Sequence, residues 1–222
     1  MTQSLFDQVR NCYEKLTEQF AQSGQATFGS ITKPDIYDFG WTSNKFRRAH
    51  VSIIDARETK KLYLLHCTVF PHFNDPSPIF GFDIVCGPSK VSGAFLDYSP
   101  AGDKDSSMCQ WFKSKVSELA WNKPRELPEW AKHIFSPDMV AIGAVGPEEL
   151  DQFIELGLST LDAYLDNVGK DQQSGADYHM AQNRYCYYQK QNPRTPTSLM
   201  HLGLTEREAI DYVSKMLFPE VS

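Results

Sequence analysis

Asp83 lies in the middle of the run Ile79–Cys86, in which every other residue except one glycine is apolar or aromatic. Aspartate is depleted from β-strands and is seldom buried without a partner, so we expect this side chain to be at least half buried. A carboxyl group held away from water keeps its proton more tightly and can donate it at physiological pH. The same side chain could instead bond a backbone amide for structural reasons, and the pattern alone favours neither role.

The run Leu62–Phe70 contains His66. Because side chains alternate along a strand, His66 shares a face with Leu64 and Thr68. Adjacent strands would place His66 beside Asp83, where an imidazole can share or relay a proton with the carboxyl group. A single histidine in a strand is more often a hydrogen-bonded core residue, so the pair is stronger evidence of chemistry than either residue alone.

The remaining histidines and cysteines do not predict a metal site. The five cysteines are scattered singly, with no Cys-x-x-Cys pair that could hold zinc or an iron–sulfur cluster. His66 and Cys67 are consecutive and point to opposite faces of a strand, so they cannot bind one ion together with His72 and Cys86. Glycine-rich dinucleotide loops, phosphate loops and nucleophile elbows are also absent from the sequence. We therefore expect no bound redox cofactor, and electrons must come from a partner.

Two clusters of basic residues contrast with the net charge of −6. They are Lys45, Arg47 and Arg48 near the start of the predicted sheet, and Arg57, Lys60 and Lys61 at its first hairpin. As a hypothesis, the two clusters could form one patch that steers an acidic electron carrier to the protein. Solvated lysines at a hairpin tip are the alternative explanation.

Length and composition indicate one globular domain over residues 1–222. No apolar run approaches the ~18 residues that a membrane span requires. The segment Met1–Arg10 lacks the basic-then-apolar order of a secretory signal, so we expect a soluble, cytoplasmic protein. The negative net charge disfavours binding to nucleic acid, and we expect a monomer.

Hydrophobic periodicity predicts the elements that position these residues. Apolar residues recur every three or four positions in Ser4–Phe20, which predicts an amphipathic helix. Across Lys45–Tyr98 the period is two, which predicts four or more antiparallel strands, and Asp138–Val145 could add another. Helices follow from Pro147 onward, and the last begins at a capping box, Thr205–Glu208. This order predicts an α+β fold, a three-layer α/β/α sandwich with a central, mostly antiparallel sheet.

Two segments of this sheet resemble the central strands of the ferredoxin-dependent bilin reductases, above all the phycocyanobilin type. They are Leu65–Pro71 and Pro78–Pro88, and their order and spacing are specific. The likeness is weakest before Lys45 but spans nearly the whole chain. It continues in Val91–Ser92, Leu96–Pro100, Arg125–Trp130, Tyr185–Asn192 and Lys215–Phe218.

The resemblance implies that a linear tetrapyrrole, biliverdin IXα, lies between the sheet and the C-terminal helices. Asp83 matches the family's proton-donating aspartate, and His66 matches the histidine hydrogen-bonded near it. The positions that hold the substrate's propionates are Ser92, Arg125, Gln189 and Arg194, and Asn192 matches a position near the bilin. Reduced 2Fe–2S ferredoxin is the implied partner, and it supplies one electron at a time while the protein protonates radical intermediates.

Two departures from the phycocyanobilin type bear on the product. That type has a glutamate two residues after a histidine that matches His50, and this glutamate protonates the D-ring vinyl group. Ser52 stands there in this chain, and a hydroxyl group cannot act as an acid at neutral pH. Pro193 replaces a second acid. These departures resemble the phage-type branch, which converts biliverdin IXα in four electrons, through 15,16-dihydrobiliverdin, to phycoerythrobilin. Phycocyanobilin as the product, or a non-catalytic bilin carrier, are the alternatives.

Overall fold

Seven antiparallel strands form one sheet in the computed structural model, which describes residues 4–33, 35–102 and 104–222. The strands lie in the sheet in the order in which they occur in the chain. Their bounds are Gln25–Lys33 (β1), Ile36–Thr42 (β2), Phe46–Ala56 (β3), Leu62–Pro71 (β4), Ile79–Cys86 (β5), Val91–Ser99 (β6) and Val140–Ile142 (β7). Because each strand pairs with its neighbour in the chain, residues from successive strands can form continuous rows across the sheet.

Helices pack on both faces of this sheet. One face shares a core with α1 (Leu5–Ser23), α3 (Ser107–Val116) and α5 (Pro147–Asn167). The other face is covered by what we call the C-terminal layer: α4 (Glu129–Lys132), α6 (His179–Gln189), α7 (Arg194–His201), α8 (Glu206–Tyr212) and a π-helical segment, Val213–Leu217. One helical turn, α2 (Arg57–Lys60), joins β3 to β4. The predicted three-layer α+β fold is confirmed.

Side-chain caps explain where the first and last α-helices begin. The Ser4 side chain accepts a hydrogen bond from the Asp7 backbone amide, and α1 starts at Leu5, directly after Ser4. Thr205 and Glu208 form the predicted reciprocal capping box at the start of α8. Each cap provides a partner for amides that the first helical turn leaves without one.

Strands β1 and β2 are absent from the sequence prediction because their run contains glycines and an aspartate, which are depleted from strands. Gly40 illustrates how the structure uses one of these residues. It pairs with Phe28 across the two strands, and a Cβ atom at Gly40 would lie 2.2 Å from the Phe28 ring. The ring thus occupies the space that a side chain at position 40 would need.

Among the described helices, none is both long and apolar enough to cross a membrane. The single domain, the monomeric state and the cytoplasmic location stay predictions.

The two faces of the sheet differ because side chains alternate along each strand. On the side of α1 and α5, which we call the apolar face, Phe82 stacks on Phe153 with ring centroids 5.3 Å apart. Gly157 of α5 allows this close approach, since a Cβ atom there would lie 2.2 Å from the Phe82 ring. The side chains of His66 and Asp83 emerge on the opposite face, under the C-terminal layer.

Candidate active site

Four polar side chains form a straight row across the face beneath the C-terminal layer. The strand register pairs Asp38 with Ser52, Ser52 with His66, and His66 with Asp83. Residues directly opposite one another in antiparallel strands project from the same face, so the four side chains are neighbours. We call this set the polar row; it runs from β2 to β5, and Phe95 of β6 follows Asp83 in register.

Asp83 and His66 form the accessible end of the polar row. His66 Nδ1 lies 2.6 Å from an Asp83 carboxylate oxygen, as the prediction that the two are neighbours requires. The Asp83 side chain is 36% exposed, so it is more than half buried yet still reachable from solvent, and that of His66 is 15% exposed. His66 Nε2 is buried without a protein hydrogen-bond partner among the described residues. This pair can therefore hold a proton at a reachable carboxyl group and exchange it through the imidazole.

The buried end of the polar row belongs to a network that we call the inner network: Asp38, His50, Ser52 and Tyr212. Asp38 Oδ1 accepts hydrogen bonds from the Tyr212 hydroxyl at 2.7 Å and from His50 Nε2 at 3.0 Å. The Ser52 hydroxyl lies 2.6 Å from the Tyr212 oxygen. All four residues are buried. The His50 ring meets the His66 ring edge to face, with centroids 5.8 Å apart, so the network adjoins the accessible pair.

Burial and hydrogen bonding set the charges in the inner network. Burial alone would raise the pKa of Asp38, but hydrogen bonds from His50, Tyr212 and Ser52 outweigh it and hold the pKa below its usual range. Burial lowers the pKa of His50 to about 4 despite its bond to Asp38. Burial and the Asp38 charge raise the pKa of Tyr212 far above its usual range. At neutral pH the network therefore holds an ionised carboxylate, a neutral imidazole and two protonated hydroxyl groups.

The residues predicted to hold the substrate lie at two places around the polar row. Arg125 donates to the Ser92 carbonyl at 3.1 Å and sits over the Phe95 ring, which is next to Asp83 in the sheet. These two residues therefore lie together beyond the accessible end of the row. The Ser92 side chain itself donates to the Val85 carbonyl.

The other three predicted substrate residues lie where α6 meets α7. Gln189 is buried and donates to the Tyr185 hydroxyl at 2.8 Å. The Asn192 side chain accepts from the backbone amide of Arg194, whose own side chain is at the exposed start of α7. The structure thus brings Gln189, Asn192 and Arg194 together in the C-terminal layer.

The prediction that the two basic clusters form one patch is wrong. They flank opposite ends of β3, whose eleven residues separate them by about 30 Å. Lys60 and Lys61 are exposed at α2 and the residue after it. Lys45 binds the Leu165 carbonyl at 2.9 Å with its ammonium group, at the other end of the strand.

Arg47 and Arg48 are half-buried, and their guanidinium groups point toward the C-terminal layer. The Arg47 guanidinium lies between the Phe70 and Phe73 rings, 4.7 Å from each centroid, and donates to Gln182. Arg48 donates to the Met216 carbonyl in the π-helical segment. Burial lowers the pKa of each arginine to about 10. Both cations anchor the C-terminal layer to β3, so they are not available to a docking partner.

A cavity of about 250 Å³ opens between the β3–β4 connection and α7, lined by Lys60, Leu62, Thr197, Ser198, His201 and Leu202. Leu62 lies on β4 four residues before His66 and on the same face of the sheet. The cavity therefore borders the region beneath the C-terminal layer. Among the described residues, no three His, Cys, Asp or Glu side chains are placed to hold a metal ion.

Sequence reasoning missed Asp38 and Tyr212. Asp38 lies in β2, a strand that the periodicity does not reveal, and it is more deeply buried than Asp83. A signal was available, because the alternation of Ile36, Asp38 and Gly40 with aromatic residues resembles the setting of Asp83. Tyr212 is 160 residues from Ser52 in the chain, and nothing local marks it.

The chain has similar counterparts among known protein families and sequences. The chain matches the family model described as ferredoxin-dependent bilin reductase over residues 7–219. Phycocyanobilin:ferredoxin oxidoreductase from Prochlorococcus marinus strain MIT 9313 is 32% identical over 180 residues, which cover 78% of this chain and 67% of that protein. Its namesake from Prochlorococcus marinus strain SARG is 27% identical over 228 residues, which cover 97% of this chain and 91% of that protein.

Two solved structures are similar to this chain. PcyX gives a TM-score of 0.71 at 25% identity, covering 96% of this chain and 99% of PcyX. Phytochromobilin synthase from tomato, solved in complex with biliverdin, gives a TM-score of 0.70 at 16% identity, covering 93% of this chain and 82% of that one.

Proposed function

The chain belongs to the ferredoxin-dependent bilin reductases, and on that premise we propose that it reduces biliverdin IXα in four electrons, through 15,16-dihydrobiliverdin, to phycoerythrobilin. The observation that carries the proposal is the chemical difference between two members of the polar row, Asp83 and Ser52. Asp83, bonded to His66, is a reachable proton donor at one end. Ser52, two strands away in the same row, offers only a hydroxyl group, and the sequence resemblance places it where the phycocyanobilin type has an acid.

The bilin would lie between the polar row and the C-terminal layer, with its reacting carbons near Asp83. A propionate can pair with the Arg125 guanidinium through two hydrogen bonds, and Ser92 lies next to that arginine. Asn192 and Arg194 would hold the substrate from the start of α7. Gln189 would bind the substrate once its amide group donates to the substrate instead of to the Tyr185 hydroxyl.

The numbers of protons and electrons that the reduction consumes define the roles of Asp83 and His66. Each carbon–carbon double bond that is reduced takes up two electrons and two protons, so two such reductions need four of each. Ferredoxin delivers one electron in each encounter, and the half-reduced bilin must stay bound between encounters. Asp83 gives a proton to the bilin, and His66 returns a proton to Asp83 through the 2.6 Å bond at Nδ1.

The exposed lysines at the β3–β4 connection, Lys60 and Lys61, are the proposed contact for the acidic ferredoxin. Exchange of both for glutamate should raise the KM for ferredoxin most at low salt, while the affinity for biliverdin stays unchanged. An unchanged KM for ferredoxin in both low and high salt would show that ferredoxin docks at another surface.

Anaerobic turnover of biliverdin IXα with reduced ferredoxin, followed by absorbance and chromatography, tests the function. Phycoerythrobilin as the product supports the proposal. Phycocyanobilin would leave the family role intact and overturn the role given to Ser52. Tight binding without reduction would favour the carrier.

The S52E variant tests the product assignment. A carboxyl group at this position should redirect part of the product toward phycocyanobilin, because the D-ring vinyl group then has a proton donor. The isosteric control is S52Q, which has the same length and no acid. Identical products from both variants and the wild type would contradict the assignment.

A further inference from the structure

The direction of every hydrogen bond in the inner network follows from the charge of Asp38. An ionised carboxylate can only accept, so the hydrogens in its bonds with Tyr212 and His50 belong to the Tyr212 hydroxyl and to His50 Nε2. The single hydroxyl hydrogen of Tyr212 is then used. Ser52 then donates its own hydrogen within the network, either to the Tyr212 oxygen 2.6 Å away or to Asp38.

This direction leaves the buried end of the polar row without a hydrogen to give. The Ser52 hydrogen points into the network, toward Tyr212 or toward Asp38 itself, so Ser52 presents only lone pairs to a substrate. Because His50 carries its hydrogen on Nε2, its buried Nδ1 is a bare acceptor with no protein partner among the described residues. Asp83, at the other end of the row, bonds to His66 instead.

The charges around Asp38 keep its carboxylate ionised. Arg48 is the nearby cation, and its charge favours the ionised form of Asp38. The three hydrogen bonds from His50, Tyr212 and Ser52 act in the same direction. A neutral side chain of the same shape would allow the hydroxyl hydrogens to reverse, because an amide can donate as well as accept.

We propose that Asp38 is a positioning residue that acts through Tyr212 and Ser52: it turns the Ser52 hydroxyl hydrogen away from the bilin, so that the substrate meets an acceptor at this end and a proton donor only at Asp83. The proposal rests on the proposed function. It extends the role of Ser52 from a missing acid to an oriented acceptor, which can hold an N–H group of the bilin.

The first test needs no bilin. Nitrogen-15 NMR of the full-length protein should show His50 with hydrogen on Nε2 and none on Nδ1. The Ser52 hydroxyl proton should exchange slowly and lie close to the Tyr212 ring. A hydrogen on His50 Nδ1, or a Ser52 hydroxyl that exchanges as fast as an exposed serine, would overturn the proposal whatever the protein does with biliverdin.

The second test uses D38N, S52A and the D38N/S52A double variant with biliverdin as the probe. D38N should shift the absorption spectrum of bound biliverdin and weaken its binding about 2- to 10-fold, the effect of one hydrogen bond. If Asp38 acts through Ser52, the double variant should match S52A, because the two changes act on the same contact. Equal and additive effects of the two substitutions would contradict the proposal.

D97N is the matched control, because Asp97 is another fully buried carboxylate on the same face of the sheet. It is bonded to Ser99 and Ser136, which lie outside the polar row. D97N should change stability while the spectrum of bound biliverdin stays that of the wild type. Wild-type protein that neither binds nor reduces biliverdin would refute the proposed function, and the NMR result would still decide the orientation of the network.

Discussion

The two faces of the sheet differ in the number of buried polar atoms that lack a hydrogen-bond partner. On the apolar face, α1 and α5 pack against stacked rings such as Phe82 and Phe153. Among the described residues, seven buried side-chain nitrogen or oxygen atoms have no hydrogen-bond partner, and five of them lie under the C-terminal layer. These five belong to Arg47, Arg48, His50, His66 and Thr68.

This difference indicates that the apolar face contributes most to stability and that the polar row contributes most to the chemistry. A buried polar atom without a partner costs on the order of 1–3 kcal/mol, so the C-terminal side is stabilised less than its burial suggests. The apolar face offsets this cost through close packing. We expect substitutions on the apolar face to change mainly stability, and substitutions along the polar row to change mainly turnover.

The largest effect should come from D83N. Loss of the proton donor should lower the rate of bilin reduction by about 10²- to 10⁴-fold, the range for a general acid. Unfolding free energy should change little, because the side chain is 36% exposed. Single-turnover absorbance and urea unfolding measure the two quantities. If D83N lost stability in proportion to its loss of rate, the expectation that the polar row affects mainly turnover would be wrong.

F153A and F218A compare one aromatic side chain from each face. F153A should lower the unfolding free energy by about 3–5 kcal/mol, because it opens a cavity against Phe82. The spectrum of bilin bound to the folded variant should stay that of the wild type. F218A removes the ring that meets His66 edge to face at 5.5 Å, and it should alter that spectrum. Urea unfolding measures the stability of each variant, and absorbance titration measures the spectrum of bound bilin. Equal changes in both quantities for the two variants would contradict the contrast.

H50Q should remove a pH dependence from the buried side. The unfolded His50 titrates near pH 6.5 and the folded one at about 4, so the unfolded chain binds more protons between these values. Stability of the wild type therefore falls as the pH drops through this window. The advantage of the wild type over H50Q should shrink by up to roughly 3 kcal/mol from pH 7 to pH 4.

Urea unfolding at several pH values measures this change. Asp97, whose pKa burial raises to about 6, contributes with the opposite sign, but it is present in both proteins and cancels in the difference. A difference between wild type and H50Q that stays constant with pH would show that folding does not change the pKa of His50.

The smallest effects should come from the helix caps. S4A and T205A each remove a side chain that accepts from a helix amide, and each should cost about 1 kcal/mol in unfolding free energy. Only T205A loosens the helix that carries Tyr212, so only T205A should also change the spectrum of bound bilin. Equal spectra for both variants would show that Tyr212 is held by its own hydrogen bonds alone.

Much of the fold and part of the site are predictable from local pattern. Strong alternation marks β3–β6, apolar spacing marks α1 and a capping box marks α8, because these signals act within a few residues. Asp83 and His66 are conspicuous because a polar residue interrupts an apolar run. Arg47 and Arg48 are read wrongly, since a basic pair in a strand looks the same whether it faces solvent or aromatic rings.

The residue types along the polar row, and the lack of an acid at Ser52, are determined by the sequence alone. Their alignment into one row is decided only by the register of four strands, and a slip of one residue would turn each side chain to the other face. The inner network depends further on α8, which brings Tyr212 to Ser52 across 160 residues. The charge and hydrogen direction of Asp38 follow from that assembly, because burial and hydrogen-bond partners exist only in the folded chain.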